Sequence, residues 1–252
     1  MTEISQHAFD HREAIAHITK DDPRLAALIE KSIEFKLNID EEQTPYESLL
    51  RAIAYQSIAG KAAAVIFGRI KALGSNGRCP TPEELLRVRP QKLREAGLSA
   101  AKIAAVRDLA QKTLDGIVPT MEDAQKMSDQ ELVDRLISVR GIGAWTVEMF
   151  LIFRLGRPDV LPIHDYGVQK GFALTYRKRR IPKPKELAKF GERWRPWRTV
   201  ASWYMWRAVD VAGKDGRKIG KKSGAAKKRK AVKKRIAAKN RIVGRPSPRR
   251  TA

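Results

Sequence analysis

The 252-residue chain contains one cysteine, Cys79, only four histidines and no long apolar run. A single cysteine excludes an intrachain disulfide and any iron–sulfur cluster held by four thiolates. His7 and His11 share helical spacing, but no third ligand follows at a comparable step, so the histidines read as surface residues. No metal is expected from side chains. No stretch approaches the roughly eighteen apolar residues that cross a membrane, and the N-terminal segment lacks the apolar region of a signal peptide. The expectation is an intracellular protein with no membrane partner. Period-two alternation is missing too, and with it the mark of a half-buried strand.

Positive charge is abundant. The chain has 51 Lys/Arg against 28 Asp/Glu, a net charge of +23. Residues 213–252 hold 17 Lys/Arg against the lone Asp215, so +16 belongs to that segment and +7 to residues 1–212. Such a balance favours polyanions and fast electrostatic encounter with them. A solubilising tail or a general surface sticker would carry the same charge, and composition alone leaves all three open. With little apolar content, 213–252 is expected to be a disordered basic tail in isolation. Residues 1–212 form the folded body.

Helix-start signals recur through the body. Asp22-Pro23 sets a capping residue before a first-turn proline. Thr44-Pro45-Tyr46-Glu47, Thr81-Pro82-Glu83-Glu84 and Ser128-Asp129-Gln130-Glu131 have the form of capping boxes. Ser99 can cap a helix through Lys102, Val106 and Leu109. Apolar residues return at three- and four-residue steps through Leu132, Leu136 and Val139, and again through Val147, Phe150 and Leu155. The pattern predicts an all-α body of about ten helices.

The most informative stretch is Leu136–Phe172, LISVRGIGAWTVEMFLIFRLGRPDVLPIHDYGVQKGF. It reads as a helix, a tight glycine hairpin, a second helix, a Gly/Pro-rich loop over 156–168, and an aspartate opening a third helix. Gly141 and Gly143 permit backbone geometry that a Cβ would obstruct. Amides of the turn and of the new helix N-terminus at Ala144 carry partial positive charge and suit a phosphate. By itself this is equally a turn between two packed helices.

Three further blocks accompany it in order: RAIAYQSIAGKAA (51–63), GLSAAKIAAVRDLA (97–110) and GERWRPWRTVASWYMW (191–206). Together the four blocks resemble the helix-hairpin-helix (HhH-GPD) superfamily, and within it the 3-methyladenine DNA glycosylase II type. The resemblance implies a two-lobed helical fold with the helix-hairpin-helix at about 128–155. The small β domain that precedes this body in some relatives is expected to be absent. It further implies a monomeric base-excision repair enzyme acting on damaged double-stranded DNA in the cytoplasm or nucleoid of a bacterium. The enzyme would hydrolyse the N-glycosidic bond of an alkylated purine after flipping it out of the duplex.

The resemblance also assigns roles. Asp165 would be the catalytic carboxylate, steadying the electron-poor C1′ of the sugar. Relatives often have a second acidic residue just before it, where this chain has His164. Bifunctional relatives have a lysine nucleophile at the position of Trp145, so strand cleavage through an amine is not expected. Trp145, Trp206 and Tyr204 would line the base pocket, where aromatic faces suit a cationic alkylated base. Trp194, Trp197 and Trp203 read as core. Arg140, Gly141, Gly143, Ala144 and Thr146 would bind the DNA backbone, with Gln56 and Ser57 at the gap left by the flipped base and Ile58 either inserted or in the core. No cofactor is required, although relatives hold a monovalent cation on hairpin carbonyls. The competing readings are a glycosylase for deaminated or oxidised bases and a non-catalytic DNA-binding module.

Overall fold

The computed structural model describes residues 9–40 and 43–214. The basic segment beyond residue 214 and the proposed disorder of that tail lie outside the described residues, as does His7. Among the described residues there are thirteen α-helices, two short 3₁₀ turns and no strand. The all-α expectation holds, and the count exceeds the expected ten. The surplus comes from one-and-a-half-turn helices, which are too short to show a repeating apolar period.

The chain opens with α1 (His11–Thr19) and α2 (Pro23–Glu30). It continues through α3 (Pro45–Tyr55), α4 (Gly60–Lys71), α5 (Pro82–Arg87), α6 (Pro90–Glu95) and α7 (Ala100–Leu114). Then follow α8 (Met121–Lys126), α9 (Asp129–Leu136), α10 (Ala144–Phe153), α11 (Tyr166–Thr175), α12 (Pro184–Gly191) and α13 (Arg198–Lys214). Local chemistry starts many of them. Thr44, Thr81 and Ser128 cap α3, α5 and α9 in complete capping boxes, each side chain bonded to the third helical amide and answered by the Glu there. Asp22 accepts from the Leu25 amide and Ser99 from the Lys102 amide, as their sequence positions predict.

Packing sorts the helices into two groups. α3, α4, α5, α6 and α7 pack among themselves, α10 joins them through α3, and α9 packs on α10. The other group is α1, α2, α11, α12 and α13. The second lobe is thus built from both ends of the described chain, with the first lobe inserted between. Leu49, Leu50 and Ile53 of α3 and Val106 and Leu109 of α7 are buried in the first lobe. In the second, Phe172 of α11 and Tyr176 at its C-terminal cap meet Phe190 and buried Trp194 at ring separations of 4.6–6.4 Å. The Tyr176 hydroxyl donates to buried Asp22 at 2.5 Å and ties α2 to α11. Trp194 and Trp203 are core residues as expected, and Trp197 is half-buried.

Two glycines set the distance between α11 and α13. A Cβ on Gly171 would stand 1.8 Å from the Met205 carbonyl oxygen, and one on Gly167 would stand 2.8 Å from Trp206 Cδ1. The two are four residues apart, on one face of α11, so α13 can lie directly against that stripe. This close approach delivers Trp206 to the start of α11.

Candidate active site

Asp165 is the N-cap of α11: its Oδ1 accepts from the Val168 amide at 2.8 Å. The loop before it is pinned on both sides. The Asp165 amide donates to the Pro162 carbonyl at 3.0 Å, and Gln169 Nε2 to the Ile163 carbonyl at 2.7 Å. Further back, the Val160 amide donates to Thr199 Oγ1 on α13 at 3.0 Å.

Two indoles converge on this carboxylate. Trp145 Nε1 donates to Oδ2 at 2.8 Å, and Trp206 Nε1 donates to Oδ1 at 2.9 Å. Three N–H donors therefore bind two oxygens, one each from α10, α11 and α13. A carboxylate accepts at about four lone-pair sites, so Oδ2 retains room for a further partner. Trp145 is 45% exposed, which leaves ring surface free beside the carboxylate. Phe153, at the far end of α10, stacks on Trp206 with ring centroids 5.7 Å apart.

Tyr204 is not in this group. It is 1% exposed, lies edge-on to Trp203 at 5.0 Å, and is packed beside Phe35. A two-residue step along an α-helix turns a side chain by about 200°, so Tyr204 and Trp206 leave α13 on opposite sides. The expectation that both face one pocket is corrected: Tyr204 belongs to the core.

Another carboxyl does approach. Glu148 lies on α10 one turn after Trp145. Burial first, and then the charge of Asp165, push it up to about 7. Its Oε2 is buried without a hydrogen-bond partner among the described residues. Sequence reading missed Glu148 because a lone Glu inside an apolar helix gives no motif; its three-residue spacing from Trp145 was the available signal.

The hairpin joins α9 to α10. Gly141 has φ +79°, and a Cβ there would press on Ala105 at 3.2 Å. Gly143 differs from the expectation: its φ is −108° and nothing lies within 4 Å of the Cβ site. Its value is the open space in front of the helix. Hydrogen bonding within α10 starts with the amides of Thr146 and Val147, both donating to the Gly143 carbonyl. The amides of Ala144 and Trp145 precede that ladder and point toward solvent at the positive end of the helix. Thr146, expected at the DNA backbone, is 6% exposed with its amide already used, so it supports the turn from inside. Arg140 anchors the hairpin through its amide, which donates to Asp108 at 2.7 Å, while the residue stays exposed.

The turn after α3 stands beside this hairpin. Gln56 Nε2 donates to the Gly141 carbonyl at 2.8 Å, a link across 85 residues. Ser57 is exposed with φ +60°, a conformation uncommon outside glycine, and Ile58 is also exposed rather than core. The structure thus brings Gln56, Ser57, Gly141, Ala144, Trp145 and Asp165 into one region, with Trp206 behind them.

A glycine hairpin that presents helix N-terminal amides, followed by an aspartate-capped helix, defines a helix-hairpin-helix protein. Residues 50–196 match the model of the HhH-GPD superfamily of base excision DNA repair proteins. The chain is 42% identical over 172 residues to DNA-3-methyladenine glycosylase 1 of Schizosaccharomyces pombe, covering 68% of this chain and 75% of that one. A solved structure of the S. pombe 3-methyladenine DNA glycosylase in complex with abasic DNA superposes with TM-score 0.73 at 38% identity, covering 79% of this chain and 98% of that one. A DNA-3-methyladenine glycosidase from Bacillus halodurans gives TM-score 0.72 at 33% identity, over 80% and 91% of the two chains. The chain belongs to the HhH-GPD superfamily and, within it, to the 3-methyladenine DNA glycosylase family.

Proposed function

We propose that the protein is a monofunctional DNA glycosylase that excises alkylated purines of the 3-methyladenine and 7-methylguanine type and leaves an abasic site. The carrying observation is Asp165, held by the indole N–H groups of Trp145 and Trp206 next to a phosphate-accepting helix start.

The chemistry follows from that arrangement. An alkylated purine is already cationic, so it leaves as a neutral base without a proton from the enzyme. The bond to C1′ breaks with its electron pair going to the base, and positive charge develops on the sugar. A carboxylate fixed by three N–H donors has no freedom to swing away and needs no reorganisation as the charge appears. The faces of Trp145 and Trp206 stack on the extruded ring and attract its positive charge. No amine is offered at position 145, so water is the nucleophile.

The backbone of the damaged strand is taken by the amides of Ala144 and Trp145, in front of side-chain-free Gly143, with Arg140 beside them. Gln56 and Ser57 face the space vacated by the base. The Val139 and Gly141 carbonyls each accept one N–H bond and keep a second lone pair. That neutral donor set fits a weakly held monovalent cation, which would add positive charge where a phosphate docks. The reaction itself calls for no cofactor. The protein would work as a monomer wherever the cell keeps its DNA, the bacterial nucleoid by family likeness; no helix among the described residues is long and apolar enough to cross a membrane.

The test is incubation with duplex DNA containing 7-methylguanine, followed by detection of free base and of alkali-labile sites. Intact strands with abasic sites support the reading. A borohydride-trapped protein–DNA adduct overturns the monofunctional step. Release confined to deaminated or oxidised bases moves the substrate class, and binding without release leaves a DNA-binding module.

A further inference from the structure

The turn at residues 56–59, between α3 and α4, is poorly held from within. Ser57, Ile58 and Ala59 are exposed, Ser57 has φ +60°, and α4 starts at Gly60 without a side-chain cap. Its support comes from elsewhere in the chain. Lys102, half-buried in the first turn of α7, donates from Nζ to the Ala54 carbonyl at 2.8 Å across 48 residues. That carbonyl is among the last of α3, where no partner remains inside the helix, and a cation there also meets the negative end of the α3 dipole. A cation in a first turn opposes the dipole of its own helix, so α7 gains nothing from Lys102.

The same side of α7 holds the hairpin. A Cβ on Gly141 would stand 3.2 Å from the Ala105 Cβ. Asp108 accepts from the Arg140 amide at 2.7 Å, and Lys112 donates to the Ser138 carbonyl and pairs with Asp108 at 3.1 Å. Positions 102, 105, 108 and 112 fall within about a third of a turn around the helix axis. Gln56 Nε2, donating to the Gly141 carbonyl at 2.8 Å, closes the third side. One helix is therefore the common mount of the hairpin and of the turn.

We infer that Lys102 is a positioning residue for base extrusion: its ammonium fixes the end of α3 so that Gln56, Ser57 and Ile58 are set to fill the gap as the damaged base leaves the duplex. This rests on the glycosylase reading above and extends it. Lys102 acts through the turn rather than on the sugar or the base. Extrusion costs unpairing and unstacking energy, and a filler that is already ordered spends none of its interaction on ordering itself. Ser57 keeps its left-handed conformation only while its surroundings enforce it, so fraying of α3 would release it.

The experiment compares single-turnover release of 7-methylguanine from two duplexes. In one the lesion is paired with cytosine; in the other it lies opposite an abasic site, where no pair has to be broken. Wild type, Lys102→Met and Lys102→Arg are measured, with Tm and duplex affinity alongside. Met keeps the apolar stem and loses the ammonium, and a hydrogen bond to a charged group is worth about tenfold or more. Lys102→Met should release base about tenfold more slowly from the paired lesion, and within about threefold of wild type from the unpaired one. Lys102→Arg, which still reaches the carbonyl with a charged donor, should recover most of the paired rate. Fluorescence of 2-aminopurine beside the paired lesion, which reports unstacking, should rise more slowly in Lys102→Met. If that variant does not fold, Lys102→Gln takes its place with the same outcomes. Equal losses on the two duplexes overturn the inference, because a plain helix cap would produce them, and so does an unchanged paired rate. Those results leave the glycosylase reading standing, since base is still released. No release by wild type from either duplex overturns both.

Discussion

Gly171 faces the Met205 carbonyl across the α11–α13 interface so closely that a Cβ would stand 1.8 Å from its oxygen. This contact, one turn along α11 from Gly167, sets where Trp206 meets Asp165. Gly171→Ala must push α13 away, because the obstacle is backbone and cannot rotate aside. Overpacking of this kind costs about 1–3 kcal/mol, or roughly 2–4 °C of Tm per kcal/mol in a domain of this size. The expected result is a lower Tm together with slower base release. Calorimetry and a single-turnover assay check it, and an unchanged Tm would contradict the close approach.

Asp165→Asn should nearly abolish excision while preserving the fold. Asn caps helices about as well as Asp, so α11 should start unchanged and Tm should move little. The amide lacks the negative charge that steadies C1′, a contribution typically worth about a hundredfold or more. DNA affinity should be equal or higher, since one negative charge near phosphate is gone. A variant retaining more than about a tenth of the wild-type rate would refute the electrostatic role.

Trp145→Phe separates the ring from its N–H. The aromatic face stays, but the 2.8 Å bond to Asp165 Oδ2 is lost. Hydrogen bonds to charged groups contribute about 1.5–3 kcal/mol, and the exposure of Trp145 favours the lower end. Single-turnover release should drop by about tenfold, with substrate affinity nearly retained because stacking persists. Tyr204→Phe is the contrasting case: its buried hydroxyl should affect Tm and leave lesion preference untouched.

Stability should carry the signature of Glu148. Its carboxyl has an ordinary value of 4.5 and about 7 in the fold. Folding therefore favours the protonated form, and this contribution is complete below about 4.5 and disappears as pH rises through about 7. Glu148→Gln lacks that dependence, so relative to wild type the variant should gain stability from about pH 5 to 8. Partial solvent access limits the effect to on the order of 1–2 kcal/mol. Urea midpoints at both pH values measure it, and a constant difference between the two proteins would contradict the burial of this carboxyl.

Truncation after Lys214 removes 16 Lys/Arg and one Asp while leaving α13 complete. Each phosphate neutralised contributes about −0.9 to the slope of log affinity against log salt. The truncated protein should bind undamaged duplex more weakly, with a slope shallower by a few units, and still excise at low salt. Superimposable salt series would show that the tail is no DNA-binding element.

What the sequence determined by itself was local. The caps at Asp22, Thr44, Thr81, Ser99 and Ser128 act within a few residues, so their side chains and helix starts can be read from neighbouring letters. Asp165 as the opening residue of α11, and the hairpin at Gly141, are legible for the same reason. The tertiary structure decided everything that depends on which faces meet. Nothing near position 204 says that Tyr204 points into the core and Trp206 toward Asp165; the placement of α13 against Gly167 and Gly171 does. Thr146 turned inward because packing decides which face of α10 is buried. Glu148 became a site residue only when packing half-buried it within range of the Asp165 charge, since desolvation and charge repulsion are properties of neighbours distant in the chain.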